Sequence, residues 1–547
     1  MPAAHNFLVA ILVSLFCVQT VCALKVERLA PEGPVLTPAA GGVSRPGREV
    51  ASGRAFVKFG AGISTITAEA ALSAAGFAVM APGLPGGWTP VGLPDGMSVA
   101  AALSVLRALP GAEAAEPSGI YRARRKSDDP GLILQYSLRL ADVFRAWDYE
   151  TGSSTKVTVG VIDTGIDGSH PELASKLAGT SQFCDPGANK STDDGGACAS
   201  NSPPTPACNH ATRVAGVAAA ASDNSAGVAG VSWGAGLLSL KVFRDVDCNS
   251  DCGDKSGTEI CSTDDFAIIK AVNYGASLHN SAATGRIVLN LSLGEPYSPC
   301  GGALQTAITN AVSAGVIVAA AAGNDPNAGV DAPANCTGVI PVGATDINDA
   351  IASFSARGGE MSAGGVTAPG VGVYTTTLGG AYAYSDGTSF SSPFVAGLAA
   401  LLWAANPSLS NVQVLNAIRS GALDRGAGGP DTVYGYGRVD AFKAMLLAKN
   451  GSTAGYTARS DMERAYAYPN PYNPSSGRSL SFSMPDGIFG SGLEVTVYTS
   501  EGEKVKKLSG PSWDGRNEAG HKVASGVYLF FMKTDNGTAR GKFAVLR

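Results

Sequence analysis

From 157 to 405 the chain alternates short, nearly continuous apolar runs with segments suited to helices. The apolar runs predict strands over 157–162 (VTVGVI), 237–243 (LLSLKVF), 286–293 (RIVLNLSL) and 315–321 (GVIVAAA). Helices are expected between them, over 211–221, 263–276 and 303–314. Strands apolar on both faces, separated by helices, argue for a parallel sheet covered on both sides. The predicted fold class is therefore α/β, a doubly wound parallel sheet. In such sheets reactive groups gather at the carboxyl ends of the strands.

Different patterns flank this region. Residues 7–23 (FLVAILVSLFCVQTVCA) are mostly apolar and end in small residues, which predicts an export signal over 1–23, although no Lys or Arg precedes Phe7. The alternative is an N-terminal anchor; the run is short for a membrane span. Residues 24–50 are rich in Pro, Gly and Arg and read as a linker. An alternating strand over 54–59, a helix over 67–75 with Thr67 as its N-cap, a Gly/Pro-rich insert over 82–96 and a helix over 97–109 predict a small α+β unit, 51–128. Its basic run at 122–126 (RARRK) suits a solvated loop or a processing site equally. Downstream, 449–468 is polar and reads as a linker. Strands over 480–484, 493–498, 503–508, 526–532 and 542–546, separated by Gly, Asn and Asp turns, predict an all-β sandwich, 469–547.

Composition narrows the function classes. The 547 residues exceed one ordinary core, so several folded units are expected. A net charge of −5 gives no electrostatic reason to expect nucleic acid as a partner. Eight cysteines lie outside the signal, from Cys184 to Cys336, and an even number in an exported chain predicts disulfides whose pairing stays open. Cys248 and Cys252 have no neighbouring His or CxxC to suggest zinc.

Of five histidines, His210 alone opens a run of small and apolar residues suited to a packed helix, which makes it the candidate general base. Ser389 stands between a glycine-bearing turn and an apolar helix. There backbone N–H groups can stabilise a developing anion, although serine is also a common N-cap. Asp163 comes off the end of an apolar strand, where it could orient a histidine or serve as a turn residue. Asn324 ends another apolar strand with an amide able to donate to an oxyanion. Each signal is modest alone. The order Asp, His, Ser is that of subtilisin, not of chymotrypsin or the α/β-hydrolases.

Residues 129–448 resemble the catalytic domain of the subtilisin-like serine proteases. The resemblance rests on Asp163-Thr-Gly-Ile-Asp-Gly168, Ser169-His-Pro-Glu-Leu173, His210-Ala-Thr-Arg-Val-Ala-Gly216, Ser292-Leu-Gly294, Ala322-Gly-Asn324, Ala352-Ser-Phe-Ser355, Ala368-Pro-Gly370 and Gly387-Thr-Ser-Phe-Ser-Ser-Pro393. It implies that Asp163 orients, His210 acts as base, Ser389 is the nucleophile, and Asn324 with the Ser389 N–H forms the oxyanion hole. No cofactor is needed for that catalysis. Ser292, Leu293 and Gly294 would hold substrate as an added strand. Ala320, Ala321, Ala322 and Gly323 would form one wall of the pocket for the residue before the scissile bond; their small side chains suggest an apolar pocket and broad specificity. Ala211 and Arg213 depart from the family's usual His-Gly-Thr-His; Phe390, Ser391 and Phe394 are milder departures. The upstream unit resembles an inhibitory propeptide, cut between about 121 and 134 by linker composition. With Tyr468-Pro-Asn-Pro471, Trp513-Asp-Gly-Arg-Asn517 and Ser525-Gly-Val-Tyr528, the terminal unit resembles an Ig-like or sorting-type module of bacterial secreted proteins, which implies a cell-surface or secretion-system contact; a plain accessory sandwich is the equal alternative.

Two segments suggest structural calcium. Asp245, Asp247, Asn249 and Asp251 space oxygen ligands at alternate positions, without the Gly and Glu of an EF-hand; a solvated acidic loop is the alternative. By resemblance, Asn224, carbonyls of Ser222, Ala226 and Val228, and the side chains of Glu172 and Gln135 form a second site. The expected function is a secreted or surface-located serine endopeptidase made as a self-processing zymogen. The alternative is an inactive protein of the same fold that binds surfaces.

Overall fold

The computed structural model describes residues 26–29, 48–81, 83–84, 86–119, 127–178, 182–183, 199–200, 206–243, 248–250, 252, 261–454, 456, 465–475, 479–483, 492–535 and 537–547. The predicted signal at 1–23, the basic run at 122–126, Cys184, Cys198, Asp245, Asp247 and Asp251 lie outside the described residues. The chain forms two compact units, divided after Ala123.

In the first unit the long strand Arg48–Phe59 pairs with Val26–Leu29, Trp88–Gly92 and Ala112–Gly119. Strands thus occupy both ends of the expected 24–50 linker and part of the expected 82–96 insert. Helices Thr65–Ala74 and Val99–Arg107 supply Leu72, Leu103 and Leu106 to the core with Val57 and Val91. The cap of the first helix is Ser64, not Thr67. Ser64 is extended (φ −68°, ψ 152°) and its hydroxyl accepts from the Thr67 N–H at 3.2 Å, whereas Thr67 is already helical.

The second unit is built on an eight-stranded sheet. Its spatial order is Val366–Pro369, Ile340–Thr345, Ile317–Ala321, Arg286–Leu291, Val157–Asp163, Gly236–Lys241, Gln182–Phe183 and Ala199–Ser200. All neighbours are parallel except the last pair. The central strands are buried along their length, which is why they read as unbroken apolar runs. Helix Thr388–Ala405 is apolar all round because one core closes over it with Trp147, Val214 and Ile340. It is long and apolar enough to cross a membrane, yet it lies almost wholly inside the protein. A second core on the other sheet face gathers Ile162, Leu289, Ile308 and Val318.

The terminal β-module has one sheet of Tyr466–Tyr468, Leu480–Ser483 and Ser512–Trp513, and another of Lys504–Leu508, Glu494–Thr499, Gly526–Thr534 and Gly537–Val545. Trp513, Phe482, Phe530 and Phe543 fill the space between. Its first strand begins at Tyr466 and the preceding helix runs to Asn450, so elements occupy both ends of the expected 449–468 linker. The module packs on the unit built around the eight-stranded sheet through Tyr468 against Tyr136 (5.2 Å between ring centroids) and Arg139 over Tyr466.

Candidate functional site

The element ends converge as the sheet rule requires. Asp163 is the last residue of its strand and is 1% exposed. His210 is the first residue of helix His210–Ala219, and its Nδ1 lies 2.9 Å from both Asp163 carboxylate oxygens. Burial disfavours the charged imidazole, but the Asp163 charge and hydrogen bond outweigh it and raise the His210 pKa; Arg213 opposes weakly. Ser389 lies in the first turn of helix Thr388–Ala405 and donates to the Ser292 carbonyl at 3.3 Å. Asp163, His210 and Ser389 line one cleft of about 720 Å³.

The departures around His210 are accommodated. Ala211 is fully buried, and its N–H donates to Thr164 Oγ1 at 3.1 Å, with the His210–Asp163 contact intact. Arg213 turns away to Thr377 Oγ1 (3.2 Å) and Ser385 Oγ (3.5 Å). Phe390 places its ring 5.7 Å from the His210 ring. Among the described residues, disulfides Cys208–Cys252 and Cys248–Cys261 lie beside His210, with Cys252 and Cys261 lining the cleft, and Cys300–Cys336 is a third.

Asn324 is fixed from one side. Its Oδ1 accepts from the Thr388 N–H (2.9 Å) and hydroxyl (3.0 Å), which leaves the Nδ2 group facing elsewhere. A Cβ built on Gly387 would stand 3.7 Å from both Asn324 Nδ2 and Ser389 N. Two donors therefore flank a small space that glycine keeps open at φ 140°. An anion there would meet both donors and the positive end of a helix. A buried polar chain supports this turn: Ser392 donates to Asn290 Oδ1 (2.7 Å), Asn290 Nδ2 to Ser292 Oγ (2.9 Å), and Ser292 Oγ to the Ser389 carbonyl (2.8 Å). Sequence reading missed Asn290, Ser392 and Thr388. The available signal was polar side chains inside otherwise apolar elements, since buried polar groups need partners.

Ser292, Leu293 and Gly294 line the cleft with Asp264, Asp265 and Glu295. Of the other predicted wall, Ala320 and Ala322 point into the second core, and Ala321 is 4% exposed. An acidic group, which the expectation of an apolar pocket did not include, stands between the two segments. A Cβ on Gly323 would fall 2.4 Å from the Asp331 Cγ, and one on Gly294 2.8 Å from its Oδ2. A carboxyl thus stands between the two glycines. Asp331 is 6% exposed, and desolvation, with Asp325 adding, pushes it up to about 6.

The residues of the second predicted calcium site are also gathered. Gln135 pairs with both backbone groups of Ala229, and Asn224 Nδ2 donates to Glu172 Oε2 at 3.3 Å. Tyr382 donates to Glu172 Oε1 at 3.0 Å, and Asn224 Oδ1 accepts from the Ala226 N–H. Asp129 accepts from the N–H groups of Asp223 and Asn224. Glu172 is the single carboxylate of the predicted set, and both its oxygens are engaged. The set as it stands is closed by protein donors, not open to a cation. Among the described residues no group of three or more His, Cys, Asp or Glu is placed to hold a metal.

Known proteins match this architecture. Residues 154–437 match the Subtilase family. The thermophilic serine proteinase of Bacillus sp. (strain AK1) is 34% identical over 349 residues, 64% of this chain and 76% of that protein. Thermitase of Thermoactinomyces vulgaris is 35% identical over 311 residues, 57% of this chain and 95% of its own length. A protease of Pseudoalteromonas arctica PAMC 21717 of known structure is 30% identical with a TM-score of 0.48, over 59% of this chain and 100% of that one. The chain belongs to the subtilase family and is a subtilisin-like serine protease.

Proposed function

We propose that the chain is an exported serine endopeptidase that cleaves through an acyl-enzyme on Ser389. The observation that carries this reading is His210 Nδ1 at 2.9 Å from both Asp163 oxygens, in one cleft with a helix-terminal serine. Nδ1 engaged in this way leaves Nε2 to take the Ser389 proton as Oγ attacks the peptide carbonyl carbon. The oxyanion is held by Asn324 Nδ2 and the Ser389 N–H. Collapse expels the amine, which receives the proton from His210, and water then hydrolyses the ester by the same route. For the first attack the Ser389 hydroxyl turns from the Ser292 carbonyl towards Nε2 as substrate binds.

In this reading 51–128 is the inhibitory propeptide, cut by the enzyme itself. The terminal module makes the surface or secretion-system contact. The disulfides among the described residues suit an oxidising compartment and support export. Structural calcium at the Glu172 loop would have to displace the Asn224 and Tyr382 donors from Glu172; equal melting temperatures in calcium and in chelator would remove it from the reading.

The test is expression from residue 24 beside Ser389→Ala, followed by mass analysis and a fluorophosphonate probe. The parent is expected to lose its N-terminal unit and label, while the variant stays whole with kcat reduced about 10⁶-fold, the scale known for subtilisin itself. Two folded, intact, unlabelled chains would assign the protein instead to an inactive surface-binding scaffold.

A further inference from the structure

The Asp331 carboxyl is a buried acid without an evident structural task. Among the described residues its buried Oδ1 has no hydrogen-bond partner and no ion pair reaches it. Leaving a buried polar atom unpaired costs free energy, and such groups are rare unless something else satisfies them. Its place is held by backbone. The Asp331 N–H donates to the Ala322 carbonyl at 2.9 Å, its carbonyl accepts from Asn335, and Ala332 bridges Glu295. These bonds set the carboxyl between Gly294 and Gly323, where neither neighbour has a side chain to cover it.

That location coincides with a substrate position. The parallel strands Arg286–Leu291 and Ile317–Ala321 run on into 292–294 and 322–324. On the catalytic reading proposed above, a peptide beside 292–294 presents its carbonyl to Ser389 and Asn324. The side chain just before the scissile bond then enters the gap between the two extensions, and the Asp331 carboxyl lies at the end of that gap, beside Gly294 and next in sequence to Ala332, both of which line the cleft. The surrounding charge has the same sign. Glu295, Asp264 and Asp265 line the cleft, and Asp325 lies close enough to Asp331 to disfavour its ionisation. Negative walls of this kind raise the local concentration of cationic ligands.

We infer that Asp331 is the specificity-determining residue of the slot for the side chain preceding the scissile bond, and that it selects arginine or lysine there. A guanidinium or ammonium reaching the Asp331 carboxyl from the cleft supplies the donors that Oδ1 lacks. The resulting charge-assisted hydrogen bonds form where water is excluded. Phenylalanine in the same slot leaves the acid unpaired. The inference rests on the catalytic reading but is separable from it.

Four peptide p-nitroanilides that differ only before the scissile bond (Arg, Lys, Phe, Ala) would be compared with the processed enzyme and with Asp331→Asn. Active sites would be counted by fluorophosphonate titration. The parent is expected to prefer Arg and Lys over Phe in kcat/KM by about 10–100-fold, and the isosteric variant to lose that ratio. The ratio should also grow with pH through about 6 as Asp331 ionises. The titratable groups on the segments packed against it are Glu295, Tyr297, Asp325 and Arg357, and taking a ratio of substrates cancels the common His210 limb. Cleavage of the Phe or Ala substrate in preference to Arg by the parent overturns the inference, as does an Arg/Phe ratio unchanged in Asp331→Asn. Cleavage of none of the four, with no labelling, overturns the catalytic reading instead.

Discussion

Two regions of the catalytic fold bury an aspartate, and they treat it in opposite ways. On the side where the β-module packs, Asp349 is 3% exposed and meets two guanidiniums: Arg438 at 2.8 and 3.1 Å, and Arg425 at 2.7 and 3.2 Å. Burial opposes its charge, but Arg438 and Arg425 outweigh burial and hold it below the ordinary carboxylate range. Beside the cleft, between Gly294 and Gly323, Asp331 is buried to a similar degree without any such partner, and its pKa moves the other way. Equal burial therefore separates into scaffold and site by whether the protein itself completes the hydrogen bonding. Asp163 is a third case, because the partner that completes its hydrogen bonding is His210, a group the chemistry itself uses.

The largest expected effect comes from breaking that third case. Asp163→Asn should lower kcat about 10⁴-fold while the protein stays folded. It should also move the acid limb of the pH–rate profile. His210 must be neutral to accept a proton, and Asp163 raises its pKa, so the parent gains activity through a limb above 6.5. Without the carboxylate only burial and Arg213 remain, and both lower it, so the limb should fall below 6.5. A residual profile unchanged in position would mean that Asp163 does not set the histidine's charge.

Next comes an attempt to turn Asp349 into a second Asp331. Arg438→Met keeps bulk but removes the main partner of a buried carboxylate. Urea unfolding in the inactive Ser389→Ala background, where autolysis cannot interfere, should show a loss of about 3 kcal/mol, at the low end for a broken buried pair because Arg425 remains. Adding Asp349→Ala should recover part of the loss, since no orphaned charge is then left. A single variant as stable as its parent would show that the network is not what holds this turn.

The contrast also bears on what sequence could reveal. The parallel strands were legible because burial on both faces leaves unbroken apolar runs, as at Val157–Asp163. Strands Ile340–Thr345 and Val366–Pro369, and the hairpin Val373–Thr377 with Ala381–Ser385, carry Pro, Gly, Thr or Tyr in short runs and gave no such signal. Asp163, His210, Ser389 and Asn324 were singled out because each stands at an element end, where polarity changes abruptly. Asp331 was not, because a lone aspartate between Val330 and Ala332 reads as a turn residue. Its meaning comes from Gly294 and Gly323, which meet it only in three dimensions. Arg438 was silent for the same reason, its partner lying 89 residues away.

The smallest effect is the most direct test of the difference between the two aspartates. Asp331→Asn should make the folded protein slightly more stable at neutral pH, by about 1 kcal/mol, because an unpaired charge is removed and the shape retained. The sign follows from linkage. The folded pKa, about 6, lies above the ordinary 3.8, so the folded state holds the proton more tightly than the unfolded one. Below about pH 4 both states are protonated and the parent bears no ionisation penalty. Between pH 4 and 6 the penalty grows, and above 6 it is complete. Urea unfolding in the Ser389→Ala background should therefore find parent and Asp331→Asn equal at pH 4 and the variant ahead at pH 7.5. A variant that is less stable at both values would mean that Asp331 has a partner in the folded state, like Asp349, and that its position between two glycines serves the scaffold and not the substrate.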